Sequence, residues 1–143
     1  MPYTLSEKGE SLTIEAHGKK LTQAFADGAR GLFHALVNTD AVGGDERVEF
    51  AVQASSLKDL YHAWLSELVG RATENGMVFC DFTVLSIQKV SAQQYLLMGS
   101  AHGEAHDDKK HGPVRSVKKI NTAGLACSER DGAASCTVTV DFW

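Results

Sequence analysis

Apolar and polar residues alternate in two short segments of the first half of the chain. Between residues 11 and 16, Leu12, Ile14 and Ala16 alternate with polar residues, and residues 48–54 repeat this spacing. A period of two places successive side chains on opposite faces of an extended chain. Both segments are therefore predicted to be half-buried β-strands.

Two longer segments have apolar residues three and four positions apart, over residues 21–36 and 57–72. This spacing collects the apolar side chains into a stripe along one face of a helix. Ser56 is predicted to cap the second helix, because a serine side chain can accept a hydrogen bond from a free N–H of the first turn. Asn75-Gly76 is predicted to end it.

The remainder of the chain is predicted to be β structure. Strands are predicted over 78–90, 95–101, 114–128 and 135–143, with a polar loop over 102–113. The resulting order, β-α-β-α-β-β-β-β, has too few helices for a doubly wound parallel sheet. The sequence therefore predicts a single α+β domain over residues 1–143, with a mostly antiparallel sheet and two amphipathic helices packed on it.

The dipeptide Asp131-Gly132 is a strong signal for a two-residue hairpin turn. Such a turn places Cys127 directly opposite Cys136, as a non-hydrogen-bonded pair with Cα atoms about 4.5 Å apart. That separation permits a strained disulfide. The preferred interpretation is two small thiols on the core face, because the chain has only three cysteines and cytosolic thiols are normally reduced.

The composition is typical of a soluble globular protein, with 43% hydrophobic and 22% charged residues among 143. A formal net charge of −4 disfavours tight nucleic-acid binding by this chain alone, because such affinity depends on phosphate neutralisation. No apolar run approaches the roughly 20 residues that span a bilayer, and the N-terminus lacks the apolar segment of a signal peptide. We expect a cytoplasmic protein that does not bind membranes.

Familiar catalytic motifs are absent from the sequence, which contains no GxxxxGK[ST], GxGxxG or HExxH. A nucleotide-binding enzyme or a familiar hydrolase is therefore not expected. One polar segment is rich in imidazole and carboxylate groups, at His102, His106, Asp107, Asp108 and His111. These groups could bind zinc or another transition metal and support a metal-dependent enzyme. Their spacing matches no strong zinc pattern, so a solvated loop is the preferred interpretation.

A local excess of positive charge follows in the same part of the chain. It comprises Lys109, Lys110, His111, Arg115, Lys118 and Lys119. In an acidic chain, this reversal of sign could steer an acidic partner or RNA phosphate towards the protein. The same residues could instead mark a solvent-facing strand edge that lysines protect from pairing. The sequence leaves both interpretations open.

Asp141 lies in the last predicted strand, on the face opposite its apolar residues. One interpretation is a simple exposed carboxylate near the end of the chain. The other depends on topology: if the strand over 11–16 lies beside the last strand, Ser11 and Glu15 share the face of Asp141. Their oxygen atoms would then form a site for a hard cation.

Several segments together, in order and spacing, resemble the archease family. They are Tyr3 to Gly18, Asp59 to Leu68, Gly103-Glu104 followed by Asp107 and Lys110-His111, Val117-Lys118, and Val140-Asp141-Phe142. The resemblance implies a small α+β protein that binds no nucleotide and is not itself an enzyme. Its partner would be the GTP-dependent RNA ligase of tRNA splicing, which joins a 3′-phosphate or 2′,3′-cyclic phosphate end to a 5′-hydroxyl end. The protein would promote guanylylation and repeated turnover of that ligase, with the basic residues above as candidate contacts.

The resemblance also implies a cation site, formed in the family by a first-strand aspartate, a C-terminal aspartate and a neighbouring backbone carbonyl. Asp141 and the carbonyl of Phe142 match this pattern, whereas Ser11 stands at the position of the first-strand aspartate. Calcium prefers six to eight oxygen ligands that include carboxylates. We therefore expect calcium binding to be weak or absent unless Glu10 or Glu15 compensates.

Two further positions depart from the family pattern, since Lys8 and Ala123 stand where the family has histidine. These departures leave a second function open. The chain would then be a diverged archease-like adaptor, or a chaperone or modulator of another partner such as a tRNA methyltransferase, without cation binding.

Overall fold

A computed structural model of the chain describes residues 3–143, which contain eight strands and three helices. In chain order these are β1 (Tyr3–Lys8), β2 (Ser11–Gly18), α1 (Leu21–Leu36), β3 (Glu46–Ala54), α2 (Leu57–Asn75), β4 (Met77–Ser91), β5 (Gln94–Ala105), α3 (Asp108–His111), β6 (Val117–Ile120), β7 (Ala126–Arg130) and β8 (Ala133–Phe142). A 3-10 turn, Thr39–Ala41, follows α1. None of the helices described between residues 3 and 143 combines the length and the hydropathy that a membrane-spanning helix needs.

The strands form two antiparallel sheets. Five of them build the first sheet, in the order β1-β2-β8-β6, and β7 pairs with β8 on the same side as β6. The second sheet has the order β3-β5-β4. All pairings among residues 3–143 are antiparallel, so the predicted α+β class is confirmed.

The core lies where the two long helices meet both sheets. Helix α1 contacts β2 and β8 of the first sheet and β4 of the second, while α2 packs mainly on the second sheet and reaches β6 and β7. The indole N–H of Trp64 in α2 donates to the carbonyl oxygen of Phe25 in α1 at 3.1 Å. This bond satisfies the single donor of a fully buried tryptophan and joins the two helices.

Local sequence signals fix several element ends as predicted. The Ser56 side chain accepts a hydrogen bond from the Asp59 N–H at 3.2 Å and caps α2. Gly76 ends that helix in the left-handed region, with a φ of 63°. Both residues of the Asp131-Gly132 turn have positive φ, 52° and 75°, which a type I′ hairpin turn requires.

That turn brings Cys127 directly opposite Cys136, as the sequence predicts. Both residues are free thiols in this structure. A hydrogen bond with Cys127, together with burial, raises the pKa of the Cys136 thiol. At neutral pH the buried thiol is therefore protonated and a poor nucleophile.

Three predictions about the elements are wrong. Strand β1 is absent from the prediction, because a mostly exposed edge strand carries little apolar pattern. The single strand predicted over 114–128 is two strands, β6 and β7, separated by a turn in which Gly124 has a φ of 76°. The predicted loop over 102–113 contains the end of β5 and the whole of α3.

Candidate functional site

Ser11 and Asp141 meet at one end of the first sheet. Strands β2 and β8 are neighbours, and their register pairs Ser11 directly with Asp141. The Ser11 hydroxyl donates a hydrogen bond of 2.6 Å to Oδ1 of Asp141. One step along the same face, the hydroxyl oxygens of Thr13 and Thr139 lie 3.0 Å apart. The face around Asp141 is therefore lined by oxygen atoms, as expected if these strands are adjacent.

Positive charge lies beside Asp141 on the side of β8 away from β2. There β6 pairs with β8, and Lys119 is directly opposite Asp141. The pKa of Asp141 is lowered, first by the hydrogen bond from Ser11, then by one from Asn121, and further by the charges of Lys118 and Lys119. The carboxylate is thus held in its charged form by hydrogen-bond donors and ammonium groups.

This donor set does not fit a calcium ion. Asp141 supplies one carboxylate, and the Ser11 hydroxyl directs its hydrogen towards it. Glu10 contacts this end of the sheet through its backbone carbonyl, which accepts the Phe142 N–H at 2.8 Å, and the exposed Glu15 is paired with Thr137. Between residues 3 and 143, no three His, Cys, Asp or Glu side chains are grouped to hold a metal ion. Weak or absent calcium binding stays our prediction.

Glu104 forms a second polar centre at the end of β5. Its carboxylate accepts hydrogen bonds from the Gly43 backbone N–H at 2.8 Å, from Lys110 Nζ at 2.9 Å and from His111 Nε2 at 2.7 Å. These bonds, that of Gly43 first, lower the pKa of Glu104 to about 2. Glu104 therefore ties the loop after α1 to α3. In the sequence, Glu104 stands out only through the Gly103-Glu104 motif that resembles the archease pattern.

His111 is locked between two partners and has no exposed side-chain surface. The Asp107 backbone N–H donates to His111 Nδ1 at 3.0 Å, so Nε2 carries the proton that is donated to Glu104. With both ring nitrogens occupied and buried, His111 is not placed to act as a general base. Its side chain also cannot touch a partner in this conformation, which corrects its prediction as a contact residue.

The predicted solvated loop is wrong in its local structure, because hydrogen bonds order this segment, whereas Asp107 to Lys110 are exposed as the prediction requires. The His106 ring stacks on His111 with centroids 5.8 Å apart, and its Nε2 donates to the Gly112 carbonyl at 2.7 Å. Asp107 caps α3 through the Lys109 N–H. The alternative of a metal site is not supported either. His106 and His111 are hydrogen-bonded to separate partners, His102 Nδ1 is buried without one, and no three His, Cys, Asp or Glu side chains within residues 3–143 are grouped to hold a metal ion.

The remaining basic residues divide into two groups. Lys110 is bound to Glu104 beside α3, and Lys109 is exposed next to it. Near β6, the Arg115 guanidinium lies 3.8 Å from the centre of the Phe142 ring. There the Lys118 ammonium lies 5.0 Å from the exposed Trp143 ring, and Lys119 is beside Asp141. The sequence could not distinguish these groups, because the division depends on where α3 and β6 lie in the fold.

We expect a Glu104→Gln variant to lose less stability on acidification than the wild-type chain does. The folded-state pKa of Glu104 is about 2 against an ordinary 4.5. Its charge therefore stabilises the fold above about pH 4.5, and this contribution is lost as the pH falls towards 2. Glutamine carries no charge, so the variant lacks this stabilisation at neutral pH. The difference in unfolding free energy between the variant and the wild-type chain therefore shrinks as the pH falls towards 2.

Urea unfolding at a series of pH values measures this difference. Glu67→Gln, at an exposed position on α2, controls for the loss of one carboxylate. Parallel stability curves for the wild-type chain and the Glu104→Gln variant would contradict the role assigned to Glu104.

Comparison with known proteins agrees with this fold. A sequence model described as "Archease protein family (MTH1598/TM1083)" matches residues 11–142. Protein archease of Pyrococcus furiosus is 33% identical over 114 residues, covering 80% of this chain and 79% of that protein. Protein archease of Pyrococcus abyssi is 35% identical with the same coverage.

Two solved structures share the fold. The solution structure of Methanobacterium thermoautotrophicum protein 1598 has a TM-score of 0.82 and 20% identity, with 98% of each chain covered. The crystal structure of a Thermotoga maritima protein, described as an archease and possible chaperone, has a TM-score of 0.51 and 12% identity, with 95% of this chain and 94% of that chain covered. Because the family sequence model covers nearly the whole chain, the chain belongs to the archease family.

Proposed function

We propose that this chain is a non-enzymatic accessory protein of the GTP-dependent RNA ligase that joins 3′-phosphate or 2′,3′-cyclic phosphate ends to 5′-hydroxyl ends. It would promote guanylylation of the ligase and its repeated turnover. The family match over residues 11–142 carries the proposal. The partner is a protein rather than RNA, because a chain of net charge −4 is poorly suited to tight binding of phosphates on its own.

The two polar centres, at Asp141 and at Glu104, support a non-enzymatic role. The Ser11 hydroxyl donates to Asp141, but the lowered pKa of that carboxyl group makes it a weak base for activating a hydroxyl. His111 uses both ring nitrogens in hydrogen bonds. What these centres offer a partner is fixed charge. Preorganised charge can stabilise a partner's reacting groups, and a rigid surface lowers the cost of ordering a partner's active site.

The proposed contacts with the ligase are charged groups in two places, beside α3 and around Asp141 and β6. They are Lys109, Lys110, Arg115, Lys118, Lys119 and Asp141. His111 would act indirectly, because its hydrogen bond to Glu104 helps to hold the carboxylate that Lys110 contacts.

We expect substoichiometric amounts of this protein to raise multiple-turnover ligation by the ligase of the same organism. The assay measures product formed per ligase from RNA carrying 2′,3′-cyclic phosphate and 5′-hydroxyl ends, with GTP. Asp141→Ala is expected to lower the stimulation at least about tenfold, which corresponds to about 1.4 kcal/mol. Glu67→Ala, an exposed carboxylate on α2, is the matched control. Unchanged turnover over a range of ratios, or RNA joining by this protein alone, would contradict the proposal.

A second candidate function is favoured by the departures at Ser11 and Ala123. In this alternative the chain is an adaptor, chaperone or modulator of another enzyme, such as a tRNA methyltransferase. The description of the Thermotoga maritima protein as a possible chaperone is compatible with it. Affinity capture from host lysate with the tagged chain distinguishes the two. Recovery of the RNA ligase supports the first function, and recovery of a methyltransferase without the ligase supports the second.

A further inference from the structure

A long groove runs between the second half of α2 and strand β6. It consists of a cavity of about 580 Å³ beside β6 and an adjoining cavity of about 360 Å³ that reaches Trp143. The two are continuous, because Val69, Thr73 and Val117 line both. The groove is separate from the Glu104 centre and lies on the α2 side of β6.

The floor of the groove is aliphatic. Val69 and Ala72 of α2 face Val114 and Val117 across it, and Ile120 lies at its far end. Gly70 leaves additional space, since a β-carbon built there has no atom within 4 Å. Such a floor suits aliphatic side chains of an extended ligand.

The rim on the β6 side is basic. Arg115, Lys118 and Lys119 line it, against one acidic lining residue, Glu74. Arg115 is paired with Glu7 at 3.1 Å, so the two lysines supply the excess of positive charge. In a chain with a net charge of −4, this rim favours an acidic occupant.

The backbone of β6 also faces the groove, because β6 ends the first sheet and pairs with β8 on one side only. The Ile120 carbonyl points away from β8, where it accepts a hydrogen bond from His62 Nε2 of α2 at 2.9 Å. Beyond this bond, the edge of this four-residue strand pairs with no other strand among residues 3–143. Strand addition supplies affinity through the main chain and specificity through alternate side chains.

From this combination we infer that the groove binds an extended acidic segment of a partner protein, which lies along β6 with aliphatic side chains on the floor and carboxylates at Lys118 and Lys119. Single-stranded RNA fits less well. Sequence-tolerant RNA grooves stack successive bases on aromatic rings. The aromatic rings that line this groove are Trp143 and His62, of which His62 is hydrogen-bonded to the Ile120 carbonyl, and the floor is aliphatic. The inference does not depend on which enzyme supplies the segment.

Fluorescence anisotropy with two labelled peptides tests the inference. The probes are alternating eight-residue peptides, one of glutamate and valine and one of lysine and valine. We expect the glutamate peptide to bind at least about tenfold more tightly than the lysine peptide. Failure of the glutamate peptide to bind, or equal binding of both peptides, would overturn the inference.

Two sets of variants test whether the peptide binds in the groove. Lys118→Gln combined with Lys119→Gln is expected to weaken binding at least about fivefold, whereas Lys58→Gln combined with Arg130→Gln, the same change of charge at exposed positions elsewhere, leaves it unchanged. Gly70→Leu should fill the groove and abolish binding, whereas Gly70→Ala should retain it. Circular dichroism confirms folding of each variant.

A labelled oligouridylate of similar length tests whether the groove binds single-stranded RNA instead. If it binds more tightly than the glutamate peptide and loses affinity in the same variants, the groove binds RNA and the inference is wrong. Equal loss of peptide binding in the Lys58 and Arg130 control would also overturn it.

Discussion

A Gly103→Ala variant is expected to lose about 3 kcal/mol of folding free energy, the upper part of the range for overpacking a well-packed interior. A β-carbon at Gly103 would collide with the Val78 carbonyl oxygen and lie 2.9 Å from the Phe79 Cα. Both neighbours are backbone atoms of β4, which pairs with β5 at this point. Relief of the clash therefore requires the two strands to separate, which no side-chain rotation can avoid.

Urea unfolding measures the loss, and Gly70→Ala is the matched control. Gly70 lies within α2 with open space around it, so alanine should stabilise the helix by up to about 1 kcal/mol. The two substitutions add the same methyl group with opposite expected signs. A Gly103→Ala variant within about 0.5 kcal/mol of the wild-type chain would show that β4 and β5 can move apart at little cost.

Gly103 precedes Glu104, so the close approach of β4 to β5 and the polar centre are adjacent. The close approach of β4 to Gly103 fixes the end of β5, from which the Glu104 carboxylate reaches the Gly43 N–H and the His111 ring. A methyl group at position 103 is therefore expected to disturb the hydrogen bonds of Glu104 as well as the sheet.

Features that depend on neighbouring residues were predictable from the sequence. The Ser56 cap and the Asp131-Gly132 turn follow from local chemistry. The pairing of Cys127 with Cys136 then follows from the turn by counting residues along two strands. The contact of Ser11 with Asp141 could be predicted only on the assumption that β2 and β8, which are distant in the chain, are neighbours in the sheet.

Burial of polar residues was not predictable, because it depends on partners far along the chain. The segment around His111 is polar in sequence, and polar residues are usually solvated. In the fold, Glu104 and the Asp107 N–H satisfy both nitrogens of His111, and the Gly43 N–H satisfies Glu104 in turn. No local pattern identifies Gly43 as a partner. The groove beside β6 was missed for the same reason, since its walls come from separate elements.

We expect a Ser11→Asp variant to bind calcium at least about tenfold more tightly than the wild-type chain, a difference of about 1.4 kcal/mol. The substitution replaces the hydroxyl that donates to Asp141 with a second carboxylate directly opposite it. Without a cation, like charges directly opposite each other on paired strands are destabilising. The variant should therefore melt below the wild-type chain in chelator and gain stability as calcium is added, because only the folded state brings the carboxylates together.

Calorimetric titration with calcium and thermal melts with and without chelator measure the two effects. Ser128→Asp, at an exposed position on β7 whose side chain faces Ser135 rather than a carboxylate, adds the same charge to the same sheet and should show no calcium response. Adding Asp141→Asn to Ser11→Asp should remove the gain, because one carboxylate is again left. Micromolar calcium binding by the wild-type chain that Ser11→Asp does not improve would contradict this expectation. It would mean that other oxygen ligands complete the site around Asp141 despite the charges of Lys118 and Lys119 beside it.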